Sequence, residues 1–157
     1  MTPAPQKPKR SLEAALAAMS WAIEDGTFAL VGLDAAPTPA DLSLLAPPGQ
    51  LIFEAEETSL LLHETRLPEL LTRHPDARVE PALLWVRFTA PMGWEVVGFL
   101  ALVTGRLAAA GIPLGAVCGF SRDHIFVDQR HRQRLEEVLT EIFPGNGVSA
   151  GAEEGPA

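Results

Sequence analysis

The second half of this chain has the pattern that most constrains its fold. The apolar run LLWVRF at residues 83–88 predicts a strand, and Pro91 and Gly93 interrupt the chain soon after it. The segments that follow predict a helix, two short strands and an amphipathic final helix, in that order, at residues 95–110, 114–120, 124–127 and 129–142. Strand, helix, strand, strand, helix is the order of a unit in which helices cover an antiparallel sheet.

The first half predicts a similar order. Ser11 caps a predicted helix that Gly26 ends, and its apolar residues recur at helical spacing, at Leu12, Ala15, Leu16, Met19 and Ile23. Three β-rich runs predict strands at residues 27–33, 51–53 and 59–62. A loop with one short helical turn separates the first two strands, and a helix ended by His74 follows the third and carries Leu67, Leu70 and Leu71.

These patterns together predict an α+β fold of two tandem ferredoxin-like (βαββαβ) units, each an antiparallel sheet covered by helices. Residues 11–81 contain the N-terminal helix and the first unit, and residues 82–143 contain the second. Residues 1–10 and 144–157 are rich in Pro, Gly, Ala and charge, which predicts disordered tails. The strand at residues 83–89 closes the first unit, opens the second or lies between them; the sequence leaves these placements open.

Composition argues against several classes of function. The formal net charge of −8 disfavours a nucleic-acid surface, because phosphates are bound by clustered Lys and Arg. The longest hydrophobic stretch, residues 96–110, contains Arg106 and is shorter than the roughly 20 residues of a membrane span. The N-terminus does not resemble a signal peptide, so we expect a cytoplasmic protein. The single cysteine, Cys118, excludes an internal disulfide, and its apolar neighbours predict a buried, unreactive thiol.

The loop between the predicted strand and helix of the second half is a candidate binding site. Free N–H groups at a helix N-terminus attract an anion such as the carboxylate of an amino acid. Met92 and Gly93 begin this loop, and the glycine permits close approach of a ligand. Trp94 supplies a flat apolar wall, and Glu95 is placed to receive an ammonium group. The alternative is an ordinary strand-to-helix connection in which Glu95 complements the helix dipole.

The adjacent pair Asp123 and His124 is the second candidate. Strand alternation places His124 and Phe126 on one face and Ile125 and Val127 on the other. The pair fits a structural role at the preceding turn, contact with a ligand, or general-base catalysis. No nucleophile or cofactor motif accompanies it at a catalytic spacing, and the other histidines lack ligand-like spacing. We therefore expect no enzymatic activity, no metal site and no cofactor.

Several strings resemble the signature of ACT domains. Residues 94–101, WEVVGFLA, followed by residues 107–112, LAAAGI, are similar to that family's LEAVG and LAEAGI segments. Residues 119–127, GFSRDHIFV, resemble the YxxDHLFV hairpin of a family of small bacterial ACT-domain proteins of unknown function. Residues 53–60, FEAEETSL, are similar to the same family's EAEGLT segment. The resemblance covers residues 11–143.

The resemblance implies a tandem pair of ACT-like units. ACT domains bind amino acids or other small metabolites where two units meet, so the implied ligand touches the loop at residues 92–95 and the backbone of the strand at residues 115–119. The candidate ligand-binding residues are Met92, Gly93, Trp94, Glu95, Val117, Cys118, Gly119, Asp123 and His124. The sequence departs from the family at Glu57, where glycine is usual, and at Met92 and Gly93, where a serine pair is usual.

We therefore expect a regulatory module that binds a small molecule, namely an amino acid. We expect it to act through an ACT–ACT interface and to form a homodimer. The alternative is a protein-interaction or dimerisation module whose ACT surfaces pair without a small molecule. A stripe of small residues along the predicted helix at 95–110 favours close approach of a neighbouring helix or subunit, at Gly98, Ala101, Gly105 and Ala108.

Overall fold

The computed structural model describes residues 11–145 and 147–149. Its helices are α1 (Leu12–Ala18), α2 (Pro39–Leu42), α3 (Leu67–Arg73), α4 (Phe99–Ala109) and α5 (Arg132–Ile142). Its strands are β1 (Trp21–Ile23), β2 (Phe28–Leu33), β3 (Gln50–Phe53), β4 (Thr58–His63), β5 (Arg78–Phe88), β6 (Gly115–Cys118), β7 (Asp123–Asp128) and β8 (Gly147–Ser149). The α+β class predicted from the sequence is confirmed. In the described part of the chain, no helix has the length and apolar character that crossing a membrane requires.

The long strand β5 is the centre of the sheet. Residues 78–83 of β5 pair with β2 and complete the antiparallel order β3–β4–β2–β5. Residues 83–88 pair with β1 and with β7, which gives the antiparallel order β6–β7–β5–β1. The unit boundary predicted between residues 81 and 82 therefore lies inside a continuous strand. Each half of β5 belongs to a group of four strands, and the two groups have a similar strand order. The first group is β3, β4, β2 and β5, and the second is β6, β7, β5 and β1.

A β-bulge separates these two halves of β5. Phe28 of β2 lies opposite Leu83, but Leu30 lies opposite Glu80, so β5 has one residue more than β2 in this interval. Ala82, within the extra segment, has a φ of 60°, in the left-handed region that side chains other than glycine rarely adopt. A bulge bends the strand that carries it and increases its twist. The bend therefore lies where β5 passes from one group of strands to the other.

Glu64 holds this bulge in place. The Ala82 N–H donates a hydrogen bond to the Glu64 carboxylate, with 2.7 Å between nitrogen and oxygen, and the Thr27 hydroxyl donates to the same carboxylate. The Glu64 N–H in turn donates to the Thr27 carbonyl at 2.9 Å. Glu64 begins the short 3-10 turn between β4 and α3. One side chain thus connects β4, the start of β2 and the amide that the bulge withdraws from the ladder.

The apolar side chains form clusters on both faces of the sheet. One cluster joins α4 and α5 to β1, β5 and β7, and a second joins α3 to β2 and β4. A third consists of strand residues, namely Phe28, Leu61, Leu83, Trp85 and Phe126. Leu84 and Val127 belong to the helix-side cluster, so strand alternation places the third cluster on the opposite face. Its members are at most 9% exposed, which requires the sheet to curl over them.

The N-terminal segment differs from the prediction. The helix expected as far as Gly26 ends at Ala18, and Trp21–Ile23 forms β1, paired with β5. All three β1 residues are buried. A short strand buried on both faces is a continuous apolar run, and its residues also satisfy helical spacing. The apolar spacing therefore predicted a helix that runs on through the residues of β1.

The C-terminal segment differs as well. The sequence predicted a disordered tail from residue 144, but Gly147–Ser149 forms β8, which pairs in parallel with β1. Strands pair through backbone groups, so a segment of low hydrophobicity can complete a sheet edge. Residues 1–10, 146 and 150–157 of the predicted tails lie outside the described residues.

Asp41 anchors the loop that covers the first group of strands. It forms a capping box with Thr38 at the start of α2, and its buried carboxylate accepts hydrogen bonds from Arg73 Nε and His74 Nε2, both at 3.0 Å. Burial raises the pKa of Asp41, but the hydrogen bonds from Thr38, Arg73 and His74 together outweigh burial and lower the pKa well below its ordinary value. The carboxylate is therefore ionised in the folded protein.

Replacing Glu64 by Ala removes the acceptor for the Ala82 amide and the Thr27 hydroxyl. Because hydrogen bonds to a charged group contribute about 1.5–3 kcal/mol, we expect Glu64→Ala to lower the free energy of unfolding by about 2 kcal/mol, measured by urea unfolding. Glu56→Ala removes an exposed carboxylate from the connector between β3 and β4 and is the control, with an expected change within about 0.5 kcal/mol. Equal losses in both variants would show that the bulge does not depend on Glu64.

Replacing Asp41 by Asn tests the buried carboxylate. The pKa of Asp41 is lower in the folded than in the unfolded protein, so ionisation stabilises the fold above the unfolded-state pKa of about 3.9. That stabilisation is lost as the pH falls below this value. We expect Asp41→Asn to lower the free energy of unfolding by about 2 kcal/mol at pH 7, and the difference from wild type to shrink as urea unfolding is repeated below pH 4. A difference that is constant across this range would contradict the assignment.

Candidate functional site

A cavity of about 240 Å³ lies between the loop that follows β5 and the turn that joins β6 to β7. Six of the nine residues predicted from the sequence line it: Met92, Gly93, Trp94, Cys118, Gly119 and Asp123. Gly98 and the first residues of α4 complete the wall on the helix side. Two segments about 25 residues apart in the chain therefore line one cavity. The lining residues all belong to the second half of the chain, whereas the ligand was expected where the two predicted units meet.

The N-terminus of α4 opens onto this cavity. The helix begins at Phe99 rather than at the predicted residue 95, and Gly98 precedes it with a φ of 93°. The first backbone bond of this helix runs from the Leu102 N–H to the Gly98 carbonyl at 2.9 Å. The N–H groups of Phe99, Leu100 and Ala101 precede it and have no intrahelical acceptor. Together with the helix dipole they favour an anionic group.

Gly98 is the signal that sequence reasoning missed. The left-handed conformation is readily adopted by glycine, and here it turns the chain from the loop into the helix. Val96 satisfies the apolar spacing of the helix together with Phe99, Leu100 and Val103, so the spacing predicted a helix that starts one turn too early. In the structure, residues 94–97 belong to the loop. The candidate anion site therefore lies one helical turn later than predicted.

Backbone and side-chain hydrogen bonds connect the loop to the β6–β7 turn. The Met92 N–H donates to the Ser121 carbonyl at 2.9 Å, and Arg122 Nε donates to the Thr89 carbonyl at 3.1 Å. The Gly119 N–H donates to the Arg122 carbonyl at 2.7 Å and closes the turn. Among the described residues, the terminal guanidinium nitrogens of Arg122 have no hydrogen-bond partner, so they supply further donors beside the cavity.

Asp123 and Cys118 occupy the strand side of the cavity. They pair across β6 and β7, and Asp123 is only 8% exposed although it carries a carboxyl group. The hydrogen bond with Asp123, followed by burial and by the charge of Asp123, raises the pKa of the Cys118 thiol. Cys118 is exposed, which corrects the expectation of a buried thiol. Its low reactivity stays a prediction, and the raised pKa supports it.

Val117 and His124 point away from the cavity. Val117 packs against the strand cluster, and His124 Nδ1 accepts a hydrogen bond from Trp85 Nε1 at 3.0 Å. Burial, and then the charge of Arg87, lower the pKa of His124, so the ring is neutral near pH 7. The predicted alternation along β7 is confirmed, because Ile125 lies in the helix-side cluster. The same alternation separates His124 from its neighbour Asp123.

Glu95 is close to the cavity but does not line it. A side chain at Gly93 would overlap the Glu95 carboxylate, so this carboxylate lies against the backbone of the loop. Trp94 and Phe120 stand at the rim and are 84% and 92% exposed. The described residues contain no cluster of three or more side chains suited to a metal ion. The cavity thus combines donors for an anion with one buried carboxylate and an apolar rim, an arrangement that complements a zwitterion.

Cys118 reports directly on Asp123, because it is the single cysteine of the chain. Asp123→Asn removes the negative charge that raises the pKa of the thiol. We expect the pH profile of iodoacetamide alkylation to shift toward the ordinary cysteine pKa of about 8.5, with faster labelling at pH 8. Asp128→Asn, at the other end of β7, is the control. Identical profiles for wild type and Asp123→Asn would show that the carboxylate does not act on the thiol.

The fold resembles several solved structures. No protein-family model and no curated protein sequence matches the chain. A protein from Agrobacterium tumefaciens shares 19% identity with a TM-score of 0.68, covering 83% of this chain and 91% of its own. A protein of unknown function from Vibrio cholerae, named a possible transport protein, shares 25% identity with a TM-score of 0.61, covering 81% and 91%. The regulatory subunit of aspartate kinase from Thermus flavus shares 9% identity with a TM-score of 0.61, covering 79% and 97%. The chain therefore has an ACT-like fold of the kind found in aspartate kinase regulatory subunits.

Proposed function

We propose that this protein is a regulatory module of two tandem ACT-like units that binds an amino acid in the cavity beside α4. The observation that carries the proposal is that one cavity is lined by the α4 N-terminus, whose first N–H groups have no intrahelical acceptor, and by the buried Asp123 carboxylate. An α-amino acid presents a carboxylate and an ammonium group a few ångströms apart. A site with donors on one wall and a carboxylate on the other complements both ends.

The strand order supports the tandem arrangement. In a ferredoxin-like unit the fourth, first, third and second strands lie side by side and antiparallel. The first group has this order as β5, β2, β4 and β3, and the second has it as β1, β5, β7 and β6. In the second group β1 occupies the place of the fourth strand, although it comes from the N-terminal end. The likeness to regulatory subunits of aspartate kinase supports a regulatory rather than a catalytic role.

The proposed binding mode uses the two walls of the cavity in different ways. The ligand carboxylate accepts hydrogen bonds from the N–H groups of residues 99–101 and from Arg122. The ammonium group lies toward Asp123, and the ligand side chain contacts Trp94 and Phe120 at the rim. A bound ligand contacts both the loop and the β6–β7 turn, so it favours the conformation in which the two lie closest. Regulation follows if a partner binds that conformation with a different affinity.

The second candidate function is a protein-interaction module that dimerises without a small molecule. The edge strand β3 favours it, because Leu51, Ile52 and Phe53 are 38%, 45% and 62% exposed, and among the described strands β3 pairs only with β4. Natural edge strands are usually protected by charge, proline or a covering segment. An exposed apolar edge is suited to pairing with a second copy. Both proposals include a cytoplasmic location and a homodimer.

A thermal-shift screen against the twenty amino acids tests the first proposal. A ligand at 100 times its Kd stabilises the native state by about 2.7 kcal/mol, which corresponds to a rise in Tm of roughly 5–10 °C. We expect one or a few amino acids to produce such a rise and to protect Cys118, which lines the cavity, from alkylation. Trp94→Ala should weaken both effects. Val97→Ala is the matched control, since Val97 is 82% exposed in the same loop and does not line the cavity.

The outcome separates the two proposals. The interaction module would be favoured if no amino acid raises the Tm of the wild-type protein and sedimentation equilibrium shows a dimer. Replacing Ile52 by a charged residue should then dissociate that dimer. A rise in Tm that Trp94→Ala leaves unchanged would place the ligand elsewhere and contradict the assigned cavity.

A further inference from the structure

We propose a second ligand site in the crease between the two groups of strands, which takes an α-amino acid with an apolar side chain. A cavity of about 230 Å³ lies there, on the face of the sheet opposite the helices. Its lining comes from both groups, with Leu30 and Leu61 on one side and Gly115 and Phe126 on the other. It shares no residue with the cavity beside α4, so the inference does not rest on the proposed function.

The floor of the crease is apolar. Leu61, Leu83 and Phe126 are at most 9% exposed and belong to the strand cluster that the curled sheet covers. Leu30 is 42% exposed although it lies in the middle of β2, where it pairs with Leu61 of β4. A large apolar side chain at the centre of a sheet is normally covered. Leu30 instead forms an open apolar wall, and an aliphatic or aromatic group placed against it would be removed from water.

The rim of the crease carries opposite charges. Glu80 lies opposite Leu30 across β2 and β5, is exposed, and has no hydrogen bond or ion pair among the described residues. Arg130 holds its Nε 3.4 Å from the Asp128 carboxylate and 3.2 Å from His131 Nε2. Its terminal nitrogens make no hydrogen bond within the described part of the chain. An unpaired carboxylate and available guanidinium nitrogens above an apolar floor complement an ammonium group, a carboxylate and an apolar side chain.

Occupation of the crease would connect the two groups of strands. The apolar floor spans β2, β4, β5 and β7, whose relative orientation depends on the bulge in β5. A ligand wedged there contacts both groups at once and restricts their relative angle. The crease therefore senses a small molecule through the junction of the sheet, with lining residues of its own.

Methyl NMR of the full chain with L-phenylalanine tests the proposal. The ring current of the probe should shift the methyl signals of Leu30, Leu61 and Leu83 in a saturable manner, both in wild type and in Trp94→Ala. We expect Glu80→Gln to weaken this titration about fivefold. Glu56→Gln removes an exposed carboxylate elsewhere and should leave it unchanged. Phenylalaninamide, which lacks the carboxylate, and 3-phenylpropionate, which lacks the ammonium group, should each bind more weakly than the amino acid.

Three results would overturn the proposal. Leucine methyl signals that stay unshifted up to the solubility limit of the probe would show that the crease is empty. Shifts with 3-phenylpropionate, and shifts in Glu80→Gln, that equal those of L-phenylalanine with wild type would show that the apolar floor binds any aromatic compound. The charged rim would then contribute nothing to binding. Loss of the protection of Cys118 from alkylation in Trp94→Ala, with the crease titration intact, would support two separate sites. Loss of the titration in that variant would contradict a separate site.

Discussion

The hydrogen bond from the Ala82 amide to the Glu64 carboxylate is the interaction on which the rest of the structure depends. β5 belongs to both groups of strands, so a disturbance of its path changes the position of everything paired with either half. A bulge leaves one amide without a ladder partner, and such a group is costly unless another acceptor reaches it. Glu64 supplies that acceptor from the turn after β4, which ties the bend to the first group of strands.

The bend gives the two faces of the sheet different roles. The helix side is filled by the clusters beneath α3, α4 and α5, while the opposite side closes over Phe28, Trp85 and Phe126. Strand alternation then divides neighbouring residues between the faces. Asp123 reaches the cavity beside α4, whereas His124 turns to the strand cluster and accepts the Trp85 N–H. A sequence pair that resembles a catalytic dyad is thus split between a cavity wall and a packed cluster.

The sequence predicts the parts of the fold that local patterns determine. The strands at residues 28–33 and 58–63 and the helix α5 follow from periodicity and turn residues, and the two segments that form the cavity were both identified. The errors of the sequence-based prediction have identifiable physical causes. β1 is buried by tertiary pairing, and the start of α4 is set by the left-handed Gly98, which apolar spacing does not reveal. The bulge depends on a side chain 18 residues away, and the crease depends on the bulge, so neither is a local property of the sequence.

β7 is the physical link between the two cavities. Asp123 at its first position lines the cavity beside α4, and Asp128 at its last position lines the crease. Six residues of strand span roughly 20 Å, and β7 is paired with β6 at residues 123–126 and with β5 at residues 124–128, so every residue of β7 lies in a ladder. A ligand that shifts the β6–β7 turn therefore acts on a strand whose other end lines the crease. Coupling between ligands bound in the two proposed sites would be reciprocal in free energy. Its size is set by how far the bulge held by Glu64 lets β5 yield, because the stiffer that junction is, the more independently the two cavities act.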